Sequence, residues 1–317
     1  MQAGVNAEVL APIIVPPQSR RRAVFKVKSL AEGLHIGFHA ARSHTVIDMH
    51  QCEVLTPGLF ALVEKLRVAL EKLMGVGEAA ELHVTQTDTG FDAGFRWKRK
   101  LTPVLTGELS RALLGLGIAR LTLNEEIVFE TAAPRVSLGG AAVILPPHAF
   151  LQSTSEGEKA LQEQVLKIVG KAKSVADLFS GVGTFALPLA ARTKVHAVEQ
   201  DGPALAALAE AAKMVGFKPV TTEKRELFKL PLTPAELKGY GAVVLDPPRA
   251  GAEAQARQLA KSAVPIVAYV SCDAATFARD AAIMVQGGYR LGPVTPIDQF
   301  LWSSHIELVA AFVRDKG

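Results

Sequence analysis

Three short stretches of this 317-residue chain carry residue types and spacings suited to chemistry. The first is Ser271-Cys272-Asp273, directly after an apolar run that reads as a strand. A lone cysteine is more often a small buried hydrophobe than a nucleophile. Here, however, a helix starting near Ala274 would aim its N-terminus at the sulfur and favour the thiolate, the reactive form. The second stretch is Asp246-Pro247-Pro248-Arg249. Two prolines fix the backbone outside a sheet and hold the Asp246 carboxylate at a strand tip, where it can position a planar base. A plain strand-terminating turn needs only one proline. The third stretch runs Asp177-Leu-Phe179-Ser-Gly181-Val-Gly183-Thr-Phe-Ala186. Its glycines let the backbone approach a ligand closely, and Ala186 permits tight helix–strand packing. Glu199 follows 22 residues after Asp177, where an acid can bind both hydroxyls of a ribose. Nicotinamide or flavin dinucleotides and S-adenosylmethionine both fit this fingerprint, which alone is a weak signal beside a purely structural turn. An acid and Phe179 ahead of the glycines favour S-adenosylmethionine, which has an amino-acid end to hold and no pyrophosphate.

All three stretches need strand ends to position them. From Glu156 onward the pattern alternates: a helix to Gly170, a strand over 174–179, a helix from Thr184, a strand over 194–199 and a helix over 201–215. Strands over 241–245 and 263–270 then end at Asp246 and Ser271. Apolar strands separated by helices predict a doubly wound, mostly parallel sheet that binds ligands at the strands' carboxyl ends. The last two strands, 289–297 and 305–312, are joined too briefly for a helical crossover, so an antiparallel hairpin should finish the sheet.

The texture changes near Pro146-Pro147. Upstream, short strand-like runs (23–28, 34–38, 45–48, 81–85, 121–124, 127–130 and 142–145) mix with two helices. One covers 59–73, with leucines at helical spacing just after Pro57, and the other covers 102–116. The expected organisation is a smaller α+β domain over 1–148 and an α/β domain over 149–317.

Composition excludes several classes. Apolar residues make up 49% of the chain, too many for intrinsic disorder. No run approaches the roughly 20 apolar residues of a membrane helix. The apolar N-terminus lacks a basic region and is broken by Pro12, Pro16 and Pro17, so it does not read as a signal peptide. Two cysteines 220 residues apart exclude a disulfide scaffold and fit a reducing cytosol, making cytoplasmic the default. The net charge of +4 divides evenly, with 16 basic and 14 acidic groups in residues 1–148 and 19 and 17 in the rest. Two local clusters stand out: Arg20, Arg21, Arg22, Lys26 and Lys28, then Arg96, Lys98, Arg99 and Lys100 with Phe95 and Trp97 interleaved. They read either as phosphate-holding, base-stacking patches or as solvated loops.

Taken in order, the motifs resemble the bacterial RNA (uracil-5-)-methyltransferase family, class I enzymes that make 5-methyluridine in tRNA and ribosomal RNA. The resemblance is carried by Phe150-Leu-Gln152, the Asp177–Phe185 stretch, Val198-Glu199, Leu245-Asp246-Pro-Pro-Arg-Ala-Gly251, Tyr269-Val-Ser-Cys272 through Arg279-Asp280, and His305-Ile-Glu307. The first half resembles the family's middle domain, which contacts RNA, through Gly37-Phe38, Arg42-Ser-His44 and Asp48-Met-His-Gln-Cys52. The resemblance implies an S-adenosylmethionine site formed by Gln152, Phe179, Gly181, Gly183, Glu199 and Asp246. It also implies that Cys272 is the nucleophile and Glu307 the general base, on an RNA substrate. Other classes fit less well. Cytosine-5 methylation commonly uses a second thiol near the Pro-Pro motif, adenine methylation needs an aromatic where Arg249 stands, and a non-catalytic RNA-binding relative has no need of both Cys272 and Glu307.

Departures from the family pattern carry expectations of their own. Asp273-Ala274 replaces the usual Asn-Pro, adding a charge that could raise the thiol pKa. Cys52 resembles the last ligand of an iron–sulfur cluster, but the first half has no second cysteine, so neither a cluster nor another metal is expected. Either Cys52 is a relic packed in the core or the chain starts downstream of the family's usual start; the expectation is a truncated or minimal member without the family's N-terminal RNA-binding barrel, monomeric and without a membrane segment.

Overall fold

The computed structural model describes residues 6–40 and 42–314. They form two compact units: one comprises 6–15, 137–143 and 156–314, the other 16–136 and 144–155.

The larger unit is built on an eight-stranded sheet. Its main strands are β1 (Ser174–Leu178), β2 (Lys194–Glu199), β3 (Val220–Lys224), β4 (Ala242–Leu245), β5 (Ile266–Ser271), β6 (Tyr289–Asp298) and β7 (Glu307–Arg314). Their order across the sheet is β6-β7-β5-β4-β1-β2-β3, with the two-residue strand Ile13–Ile14 outside β6. Strands β1 to β5 pair in parallel, and β7 enters antiparallel between β5 and β6. The expected hairpin therefore finishes the sheet, with its second strand inserted inside its first. The central strands are apolar on both faces because helices cover both, and Ala242–Leu245 and Val175–Leu178 are entirely buried. Those helices are α1 (Ser155–Val169), α2 (Ala186–Ala190), α3 (Gly202–Ala211), α4 (Glu253–Ala260) and α5 (Ala274–Gln286). The helix expected from Thr184 is only five residues long. Strand β3, absent from the sequence reading, lies at the sheet edge and has the polar composition Val-Thr-Thr-Glu-Lys, which leaves little apolar signal to find.

The smaller unit is a seven-stranded sheet with both of its helices packed into its core. Its inward face (Phe25, Val27, Ile36, Leu82, Val84, Phe95, Leu121 and Leu123) shares one core with the helices Pro57–Glu71 and Pro103–Leu113. Each helix begins with Pro in its first turn, behind a threonine whose hydroxyl accepts an N-terminal amide: Thr56 from Leu59 and Thr102 from Leu105. Such caps contribute about 1 kcal/mol each. Within this seven-stranded sheet the sequence reading misses Gly90–Trp97, which pairs with Ala79–Thr87 and Ile118–Leu123. Phe95 and Trp97 are buried on its core face, 1% and 4% exposed, so they are packing residues and offer no stacking platform. Cys52 also packs against this core, and its sulfur accepts a long bond from the Leu55 amide.

Candidate active site

Ligands of a doubly wound sheet bind where the strand order reverses, here between β1 and β4. The loops after β1, β4 and β5 leave the carboxyl edge of that region, and each carries one of the three motifs.

The loop after β1 turns sharply. Phe179 adopts φ 63° and Gly181 φ 54°, and a non-glycine residue held in that region usually marks a constrained site. The two glycines do different work. A Cβ on Gly181 would meet nothing within 4 Å, whereas one on Gly183 (φ 103°) would strike Leu187 at 2.9 Å and Leu208 at 3.1 Å. Gly181 faces open space, while Gly183 allows helix and sheet to pack. Glu199, at the end of β2, accepts from the Gly181 amide (3.0 Å) and from those of Gln200 (2.7 Å) and Asp201 (2.9 Å), tying the turn to the neighbouring strand. The Phe179 ring packs on Phe228 at 5.4 Å, an aromatic partner that the sequence reading does not pick out. Below the turn, Asp177 is fully buried and neither carboxylate oxygen has a hydrogen-bond partner. Burial pushes its pKa up to about 8. The Ala186 N–H offsets part of that cost without reaching hydrogen-bond geometry, and the charge of Glu199 adds to it.

The Asp246 loop is held from behind by α5 and β5. Asp280, fully buried, accepts from the Ala252 amide (2.6 Å) and the Tyr269 hydroxyl (2.6 Å) and pairs with Arg279. Arg279 in turn donates to the Ala250 carbonyl, and the Thr276 hydroxyl to that of Arg249. Gly251 has φ 74°, and a Cβ there would collide with Arg279 and Asp280 at 2.6 and 2.7 Å. The resemblance motif from Tyr269 to Asp280 is thus the clamp of the Asp246 loop.

Cys272 stands one residue beyond β5, where the last pair in the β5–β7 register is Ser271 with Leu308. The next position on β7 is Glu307, so the antiparallel insertion of β7 sets the carboxylate beside the thiol. Glu307 is buried, its Oε1 accepts from Gln299 Nε2 (3.3 Å), and burial pushes its pKa up to about 7. Gln299 carries no motif of its own; only the hairpin register, with Ile297 paired to Glu307, brings it there. The Asp246 pKa is raised well above the usual carboxylate range by burial, then by Glu307 and Asp177.

Two expectations about the thiol need correction. The helix after Cys272 does begin at Ala274, but Asp273 is its N-cap and its carboxylate takes the Ala275 and Thr276 amides. Those amides are therefore satisfied by Asp273. The Cys272 pKa is pushed up to about 11 by burial, then by Glu307 and Asp246, while Arg249 pulls the other way. The carboxylates that raise it are thus Glu307 and Asp246, with Asp273 engaged as the cap. Gln152 belongs to the smaller unit, where it is buried and its carbonyl accepts from Arg21 Nε at 3.3 Å.

Strand order, the glycine turn and the acid at the end of β2 together define a class I S-adenosylmethionine-dependent methyltransferase. The chain belongs to the tRNA (uracil-5-)-methyltransferase family, which it matches over residues 144–314. It is 44% identical over 312 residues to a protein of Rhizobium meliloti (strain 1021) described as an uncharacterized RNA methyltransferase, covering 98% of this chain and 75% of that relative. It is 33% identical to the 23S rRNA (uracil(1939)-C(5))-methyltransferase RlmD of Chromohalobacter salexigens, over 93% of this chain and 65% of that one. The fold is shared with the Pyrococcus abyssi tRNA (uracil-54, C5)-methyltransferase solved with S-adenosyl-L-homocysteine (TM-score 0.77, 22% identity, 98% of this chain and 80% of that chain). The protein is an S-adenosylmethionine-dependent RNA methyltransferase of the uracil-5 class. Among the described residues, no helix is long and apolar enough to cross a membrane. No group of three or more His, Cys, Asp or Glu side chains suited to a metal occurs among them either.

Proposed function

We propose that the chain methylates carbon 5 of a uridine in structured ribosomal or transfer RNA through a covalent Cys272–uracil adduct, with Glu307 as the base. The observation that carries this reading is the β5–β7 register, which sets a thiol and a buried carboxylate side by side at the carboxyl edge of the sheet.

Carbon 5 of uracil is a poor nucleophile. The Cys272 thiolate adds to carbon 6, forming the S–C6 bond and moving the C5–C6 π electrons into an enolate. Carbon 5 is then nucleophilic. Bound S-adenosylmethionine supplies an electrophilic methyl group. Phe179, Gly181, Gly183, Glu199 and Asp246 are the residues of the larger unit that would hold it. Glu307 then takes the carbon-5 proton, the C5–C6 double bond re-forms and the S–C6 bond breaks. The target base must leave its stack to reach the thiol. Held by the clamped Asp246-Pro247-Pro248 tip, the base meets a rigid edge and needs little reorganisation.

Trapping on RNA containing 5-fluorouridine, with S-adenosylmethionine, tests this directly. Fluorine cannot leave as the proton does, so wild type should give an adduct that survives denaturing electrophoresis and Cys272→Ala none. Absence of an adduct on RNA that wild type demonstrably methylates would refute the covalent route.

A further inference from the structure

The two basic clusters of the sequence do not act as units once folded. Arg20, Arg21 and Arg22 are spent on local structure: their guanidinium groups donate to the carbonyls of Arg22, Gln152 and Leu151, and Arg22 also covers the Phe150 ring. Arg99 pairs with Glu78 and lies over Trp97. Four of the remaining cations, Lys26, Lys28, Arg96 and Lys98, converge. Strands Arg22–Leu30, Ala79–Thr87 and Gly90–Trp97 are neighbours, with Lys26 opposite Glu81 and Glu81 opposite Arg96. Side chains alternate across a strand, so Lys26 and Lys28 lie on the face away from the helices.

On that face Lys26, Lys28, Arg96 and Lys98, with His39 and His44, line a depression of about 530 Å³. Its one acid, Glu81, is ion-paired to Lys26. Sharing Lys28 and His44, a second depression of about 500 Å³ extends it past His35, with Glu32 as its acid. Four cations and two imidazoles, gathered from stretches some seventy residues apart, make an open sheet face complementary to a polyanion.

We propose that this sheet face grips the phosphate backbone of the RNA substrate by charge, without reading its bases. The proposal rests on the RNA methylation reading above. Phe95 and Trp97 of the second cluster are buried, so those two rings give the face little surface on which a base could stack. Its contribution is sequence-independent affinity and register, which phosphate contacts supply.

The test compares full-length wild type with Lys28→Glu/Lys98→Glu and, as a milder pair, Lys28→Gln/Lys98→Gln, using Lys171→Glu as a charge control in the other unit. A labelled RNA stem–loop with loop uridines is titrated at several KCl concentrations. The glutamate pair should weaken binding at least about tenfold at low salt, and both pairs should flatten the log–log salt slope by about 2, one per cation. S-adenosylmethionine affinity and melting temperature should stay at wild-type values. Affinity and slope equal to those of Lys171→Glu would overturn the proposal, as would intact RNA binding alongside lost binding to phosphatidylserine vesicles. Weakened RNA binding with no 5-fluorouridine adduct in any variant would leave the grip standing and remove the uracil chemistry instead.

Discussion

The carboxyl edge of the eight-stranded sheet and the open face of the seven-stranded sheet both concentrate ionisable groups, but in opposite ways. At the carboxyl edge, Asp177, Asp246, Glu307 and Cys272 gather with Arg249 as the nearby cation, and burial raises all four pKa values. On the open face, lysines and arginines sit beside solvent, and the acid among them is paired. Burial makes each charge expensive, so a proton moves at small cost and the groups are suited to chemistry. Exposure leaves charge stable but screened, which suits a long polyanion held at many points. A variant at the edge should therefore change rate and pH dependence, and one on the face should change affinity and salt dependence.

The largest expected effect follows from removing the proposed nucleophile. On the proposed covalent route, Cys272→Ala should lower methyl transfer by at least about 10³-fold while leaving S-adenosylmethionine and RNA affinities intact, because it removes the thiolate that adds to carbon 6. Equilibrium binding run beside single-turnover kinetics checks this. A parallel loss of affinity would mean that the edge also holds substrate, blurring the division. Glu307→Gln should slow turnover by about 10²-fold or more, since the carbon-5 proton loses its acceptor. It should also change the pH profile. Wild-type single-turnover rates should rise through pH 7, where Glu307 becomes ionised, and keep climbing toward the pKa of about 11 set for the Cys272 thiol. In the glutamine variant only the upper rise should remain, moved to lower pH because the Glu307 charge no longer raises the thiol.

Next in size is the clamp behind the Asp246 loop. Asp280→Ala leaves the Ala252 amide and the Tyr269 hydroxyl without their acceptor in a buried place, while the partly exposed Arg279 keeps the Ala250 carbonyl and Glu253. It should cost about 2–4 kcal/mol of stability in urea unfolding. Tyr269→Phe, which removes one bond, should cost about 1 kcal/mol. The two turn glycines separate function from packing in the same way. Gly183→Ala should lower the melting temperature through its collisions with Leu187 and Leu208, whereas Gly181→Ala should mainly weaken cofactor binding, with only the roughly 1 kcal/mol of its left-handed backbone lost from stability.

These residues also mark how far the sequence could be read. At the carboxyl edge, nearly every motif lands where its strand ends, because apolar strands covered on both faces leave continuous runs and prolines or glycines mark their limits. What stayed hidden there depends on pairing between distant strands. Gln299 meets Glu307 only through the hairpin register, and Asp273 turns from a suspected perturbing charge into a helix cap. In the smaller unit the missed strand Gly90–Trp97 explains more. With Arg96, Lys98, Arg99 and Lys100 crowding its end, the segment reads as a basic patch, and alternation is what sends Trp97 inward and Arg96 outward. Local composition cannot show that Arg96 faces Glu81 and, beyond it, Lys26.

The last effect is absent near pH 4 and grows with pH; it concerns Asp177, the one acid at the edge that the proposed chemistry leaves unused. Its folded pKa of about 8 lies far above the ordinary aspartate value of 3.8, so the folded chain holds a proton that the unfolded chain releases over that window. Its contribution to stability is therefore fully present below about pH 4 and falls as pH rises toward 8, with a slope of at most about 1.4 kcal/mol per pH unit. Asp177→Asn keeps the shape and removes the titration. The variant should match wild type near pH 4 and become progressively more stable than it toward pH 8, as read by urea midpoints across the range. If the two curves instead stay parallel, the Asp177 carboxyl is ionised in the folded protein and the Ala186 amide compensates its charge. The carboxyl edge would then tolerate a buried charge more readily than its crowded acids imply, and the contrast with the open face would rest on Asp246, Glu307 and Cys272 alone.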